Sequence, residues 1–192
     1  MKTTNETPAA TKNAFGLRQL TAVALMAAVM CLLGPLALNI PFISPVPISL
    51  GMLGVYLAVS ILGMKAGTLS VAVYIILGFI GIPVFTNFTG GVSKLLGPTG
   101  GYIIGYIFMA LICGFFMDRW ESRFWVCFLG MVLGTAVCYL FGTVWLAFQM
   151  SLTFPQALAS GVLPYIPFDL AKLLLALILG RQVRKRLKKA GL

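Results

Sequence analysis

With 192 residues, 60% of them apolar and only 9% charged, and a mean hydropathy of +1.01, the chain is too apolar for a soluble domain, and lipid must be the solvent for most of it. Histidine is absent and the four acids are Glu6, Asp118, Glu121 and Asp169, which removes histidine metal sites, Ser-His triads and paired buried carboxylates and makes an enzyme improbable. The net charge of +10 is large, and its placement along the chain decides what it means.

The chain opens with a polar lead, 1–17, expected on the cytoplasmic side. A hydrocarbon core of about 30 Å takes about 20 helical residues, and six apolar segments approach that within one domain, 18–181. They are Arg18–Ile40, Ile48–Met64, Gly67–Ile82, Gly100–Met117, Phe124–Met150 and Leu163–Arg181. Only the first and fifth are comfortably long. The others are short, several rich in glycine or proline, so irregular backbone at their ends must line protein or water rather than lipid. A basic tail, 182–192, follows the last span. The expected fold is an all-α integral membrane protein with six transmembrane helices, both termini cytoplasmic, and structured outer loops.

Positive charge supports that count. With the N-terminus inside, twelve of the 14 cations fall in the lead, the 64–66 turn, the 118–123 loop and the tail, counting Arg18 and Arg181 at their edges, as cytoplasmic stretches require. Lys94 stays outside and Lys172 lies within the last span. The basic tail is therefore read as meeting anionic lipid heads rather than nucleic acid. Cys31, Cys113, Cys127 and Cys138 show no CxxC spacing and are read as small buried apolar residues. No metal site and no cofactor are expected.

The outer loops differ in kind. Pro41-Phe-Ile-Ser-Pro-Val-Pro-Ile-Ser49 carries three prolines and no charge. Proline fixes φ, so this loop is expected to be semi-rigid and to fold back over the bundle as a lid. The next outer segment, 83–102, contains Asn87, Gly90-Gly91 and Gly97-Pro-Thr-Gly-Gly101. It is no phosphate-binding P-loop, lacking the Gly-Lys-Ser/Thr order. Glycine there allows close backbone approach, so Asn87, Thr99 and free N–H groups can meet a polar ligand. Gly97, Gly101 and Gly105 also fit GxxxG helix packing.

Asp169 and Lys172 stand three residues apart in an otherwise apolar stretch. An ionised group at mid-bilayer costs roughly 2.5–3.5 kcal/mol on insertion scales and marks function by default. On a helix the two share one face and can reach a single site. A mutual ion pair that only locks helix packing, and an ion or proton relay, are the other readings. The relay would make the chain a stand-alone secondary transporter, although inverted repeats are not apparent.

Gly90-Gly-Val-Ser-Lys-Leu-Leu-Gly-Pro-Thr-Gly-Gly-Tyr102, together with Pro45-Val-Pro-Ile-Ser49 and Pro164-Tyr-Ile-Pro-Phe-Asp-Leu-Ala-Lys172, resembles the signature of the BioY family, the biotin-specific S components of energy-coupling factor (ECF) transporters. The resemblance covers essentially the whole chain. It implies high-affinity biotin capture from outside, docking on a transmembrane coupling subunit (EcfT-like) that carries two ATPase subunits, and toppling in the cell membrane to release the vitamin. Asp169 and Lys172 would hold the ureido ring. Asn87, Lys94, Thr99 and the backbone at Gly90, Gly91 and Gly100 are candidates for the carboxylate end. Tyr102 and Tyr139, with Phe85, Phe88, Trp145 and Phe168, would supply apolar walls, and Ser49 lies in the matching first loop. Ala24 and Ala28 match the family's small-residue docking face. Riboflavin or thiamine is the nearest alternative ligand; thiamine, being cationic, suits a pocket containing Lys172 poorly.

Overall fold

A computed structural model of the protein describes residues 16–38 and 47–189. The long runs of Leu, Ile, Val, Met and Ala become helices because lipid offers no partner for backbone N–H and C=O groups. In chain order these are α1 (Leu17–Leu33), α2 (Gly51–Phe79), a single turn α3 (Val92–Leu95), α4 (Gly100–Arg119), α5 (Phe124–Met150), α6 (Phe154–Gly161) and α7 (Ile166–Lys189). The one sheet among the described residues is a two-residue antiparallel pair, β1 (Ala37–Leu38) with β2 (Ile48–Ser49), in register Ala37↔Ser49 and Leu38↔Ile48. It clamps the base of the proline-rich loop. Most of the expected lid lies outside the described residues, which resume at Pro47.

Helix α1 ends at Leu33 rather than the expected Ile40, because Pro35 has no N–H to extend it. Helix α2 is not one straight rod. Gly63 has φ 80° and ψ −168° in its middle, and a Cβ on Gly67 would lie 2.9 Å from Val59 Cα. Residues eight apart on a straight helix are separated by about 12 Å, so the chain doubles back at Gly63. Its two arms, 51–62 and 64–79, occupy the places of the second and third expected spans, at about 18 and 24 Å in length. By length and apolar composition alone, α4, α5, and α2 counted as one 29-residue helix, can each cross a membrane, and α6–α7, bent by 54°, makes a fourth candidate; α1 is shorter.

The φ/ψ of Gly63 falls in a region essentially restricted to glycine, where another residue costs about 1–3 kcal/mol. A side chain there would also run into the Asp118 carboxylate. Gly63→Val is therefore expected to lower thermal stability in detergent markedly, and an unchanged melting temperature would refute this account of the turn.

Helix α4 lies along α5 and α2, while α2 also packs on α1 and α7. Gly101 rests against Phe141 and Trp145, Gly105 against Cys138, and Gly134 against Cys113. The expected GxxxG series thus brings α4 and α5 together. Cys113, Cys127 and Cys138 are buried as free thiols. Sequence reading missed α6. Its signal is a capping box, Thr153 with Gln156 three residues on, and Pro155 in the first turn.

At the end of the bundle holding the Gly63 turn, charges knit the elements together. Asp118 accepts from the Met64 N–H at 2.9 Å and pairs with Arg184 at 2.7 Å. Glu121 lies 3.5 Å from Arg184 Nε and also pairs with Lys188. Arg181 donates to the Ser122 carbonyl at 3.2 Å. The expected basic tail thus begins as the continuous end of α7.

Candidate functional site

The opposite end of the bundle gathers the starts of α2, α4 and α7. Gly34 backs onto both Gly51 and the Tyr74 hydroxyl, and Tyr74 donates to Val84 O at 3.1 Å, fixing the 83–102 segment to this end. Asp169 sits in the first turn of α7, where the helix dipole favours a negative charge, and Lys172 follows one turn later on the same face.

Asp169 Oδ1 accepts from Lys172 Nζ at 2.8 Å. Its Oδ2 accepts from the Tyr139 hydroxyl of α5 at 2.5 Å. Lys172 Nζ also donates to Ser49 O of β2 at 2.8 Å. The pair is thus held by three elements. Its side chains are 8% (Asp169) and 11% (Lys172) exposed. Among the described residues, these contacts occupy two of the three ammonium protons and one contact on each carboxylate oxygen. Donor and acceptor capacity is left over on both groups.

That capacity faces a small cavity of about 60 Å³. Asp169, Lys172 and Tyr165 form the α7 side, while Pro47, Ile48, Ser49 and Met52 form the β2–α2 side. Thr99, Tyr102, Ile103 and Tyr106 descend from α4, with Thr86, Tyr139 and Gly161 completing the wall. Tyr102 donates to Gly161 O at 3.1 Å, tying α6 to the rim. The Thr99 hydroxyl is buried without a hydrogen-bond partner. Because buried hydroxyls are normally satisfied, it is a free polar contact for whatever enters. A second, almost wholly apolar cavity lies behind Tyr139 and Asp169, between α5 and α7, lined by Tyr56, Val132 and Leu173.

The structure therefore brings together Asp169, Lys172, Ser49, Thr99, Tyr102 and Tyr139 from the expected set. Asn87, Gly90, Gly91, Lys94 and Gly100 are not among the lining residues. Asn87 is exposed with φ 61°, and Gly91 takes φ 85°. Gly90 and Gly100 pass so close to Ile82 O and Leu95 O that no side chain fits. Partial burial pushes the Lys94 ammonium below the ordinary lysine range. Phe85 is buried against Tyr74, Trp145 donates to Gly97 O at 2.9 Å, and Phe88 and Phe168 are exposed. None of these four lines the cavity. Tyr106 and Tyr165 were missed. Helical spacing could have found them, one turn after Tyr102 and one turn before Asp169.

Tyr139→Phe deletes the donor to Oδ2 and leaves the ion pair. Hydrogen bonds to charged groups contribute about 1.5–3 kcal/mol, so a lower melting temperature with retained fold is expected. No change in unfolding would show that the 2.5 Å contact carries no stability.

A model of the BioY family matches residues 3–189. The chain is 39% identical over 148 residues to the biotin transporter BioY of Thermotoga maritima, covering 77% of this chain and 86% of that protein. It is 37% identical over 176 residues to the biotin transporter BioY of Lactococcus lactis subsp. cremoris, covering 88% and 92%. It is also similar to the crystal structure of the S-component for biotin from an ECF-type ABC transporter, with TM-score 0.83, 34% identity, and coverage of 90% of this chain and 95% of that one.

Proposed function

The chain belongs to the BioY family, and from that membership and the geometry of the outer pocket we infer that it takes up biotin as the membrane-embedded S component of an ECF-type transporter. It is a transport component and not an enzyme. The observation that carries the site assignment is the buried Asp169–Lys172 pair, braced by Tyr139 and Ser49 and facing a cavity lined by four tyrosines.

Biotin offers a neutral ureido ring with two N–H donors and one carbonyl, an apolar bicycle and chain, and a carboxylate. Asp169 accepts a ureido N–H, and Lys172 donates its remaining proton to the ureido carbonyl. Two charges that neutralise each other suit a neutral ring better than a lone charge would. Tyr102, Tyr106, Ile103 and Met52 flank the apolar body. Thr99 supplies a hydroxyl for a further polar atom, while Asn87, Lys94 and the backbone at Gly90, Gly91 and Gly100 are the contacts proposed for the carboxylate end.

The six-span arrangement with both termini cytoplasmic belongs to the same reading. The hairpin at Gly63 turns α2 into two crossings, and twelve of the 14 cations then fall on the inner side. In the cell membrane the protein docks through Ala24 and Ala28 on an EcfT-like coupling subunit, and ATP is hydrolysed on two ATPase subunits of that module.

Isothermal titration of the detergent-purified protein with biotin, riboflavin and thiamine tests the function. Saturable one-to-one binding of biotin alone is expected. Binding of another vitamin in preference to biotin would overturn the assignment, and proton-coupled flux in vesicles without ATPase subunits would replace it with secondary transport.

A further inference from the structure

A third cavity, of about 120 Å³, opens at the far end of the bundle, between α1, the first arm of α2 and α7. Gln19 and Ala22 line it from α1, Ile61 and Leu62 from α2, and Arg184 and Lys188 from α7. The biotin reading gives it no task.

Arg184 is the unusual member. Its side chain is only 10% exposed, and although Nη2 bonds Asp118 at 2.7 Å, Nε and Nη1 are buried without a hydrogen-bond acceptor among the described residues. Glu121 lies 3.5 Å from Nε, an attraction but not a hydrogen bond. Buried charged donors are normally satisfied. Both charges lining the cleft are cationic, and no carboxylate lines it; Asp118 and Glu121 bind the same cations from outside the lining. Arg181, Lys185, Arg186 and Lys189 lie on the same end of α7.

We infer that this cleft is a site for an anionic phospholipid, whose phosphate meets Arg184 and Lys188 and whose glycerol and first acyl carbons lie against Ala22, Ile61 and Leu62. The combination of cationic head and apolar wall is what an amphiphile requires. A free phosphate would gain nothing from the apolar side. The inference rests on the chain spanning a membrane with its basic end at the lipid headgroups, and not on the identity of the vitamin. A lipid there bridges α1, the docking helix, to the end of α7.

Native mass spectrometry of the full, detergent-purified chain tests it, with added phosphatidylglycerol, phosphatidylcholine or inorganic phosphate. One saturable phosphatidylglycerol adduct is expected, at least about tenfold tighter than phosphatidylcholine. Lys188→Ala should weaken it about fivefold, the value of one cation at an anionic membrane surface. Ala22→Phe fills the cleft without touching any ion pair and should abolish the adduct. Equal retention of the two lipids, an undiminished adduct in Ala22→Phe, or displacement of phosphatidylglycerol by millimolar inorganic phosphate would overturn the lipid site. Biotin titration on the same samples should be unchanged. Its failure beside an intact lipid adduct would count against the vitamin assignment alone.

Discussion

Lys172→Ala is expected to abolish measurable biotin binding while the protein still inserts and purifies. Removing one partner of a buried ion pair costs about 3–5 kcal/mol, chiefly because the other charge is left uncompensated. At tenfold per 1.4 kcal/mol, that corresponds to about two to three and a half orders of magnitude if the loss falls on the bound state. The same substitution leaves Ser49 O without its 2.8 Å donor, so the β2 wall loosens as well. Asp169→Asn is the sharper partner. It is nearly isosteric, retains an acceptor oxygen for Lys172 or Tyr139, and replaces the other with a donor facing a ureido N–H. Its binding should also be lost, with a smaller drop in melting temperature than Lys172→Ala. Wild-type affinity in both variants would reduce the pair to a packing device.

Ala24→Trp and Ala28→Trp are expected to do the reverse, keeping biotin affinity and eliminating uptake. Both alanines are exposed on α1, one turn apart, whereas Val23, Met26, Ala27 and Met30 form its buried side. An indole at either position displaces no internal neighbour, so the S component should fold. Small-residue helix contacts depend on close backbone approach, and a tryptophan would hold the coupling subunit off. Co-purification with the module should fail and ATP-dependent uptake should fall to background. An intact complex would move the docking face elsewhere.

Much of the bundle was legible because lipid imposes strong rules. Phe124–Met150 was read with the bounds that α5 has, since nothing within it interrupts the apolar run. The start of α4 at Gly100 was also clear. What local pattern could not show was long-range closure. Residue types placed Asp169 and Lys172 on one helix face, but the Tyr139 and Ser49 partners come from 30 and 123 residues away. In the glycine-rich segment, the close approach open to glycine brings Gly90 against Ile82 and Gly100 against Leu95, long-range and local backbone packing that residue type alone does not specify. Helix α6 escaped notice because its capping box sits in a stretch too short and too polar to look like a span.

The contact between Lys172 and Ser49 has a bearing on how the protein is made. Synthesis runs from the N-terminus, so β2, α4 and α5 enter the bilayer before the lysine that closes the pocket against them. A nascent chain stalled before α7 lacks both charges and has no functional pocket. The charged pair of α7 arrives only when the Tyr139 hydroxyl and the Ser49 carbonyl that contact it are already in place. On the proposed site, ligand competence is a late event in biogenesis, and a binding-competent molecule has by that fact seated its last helix.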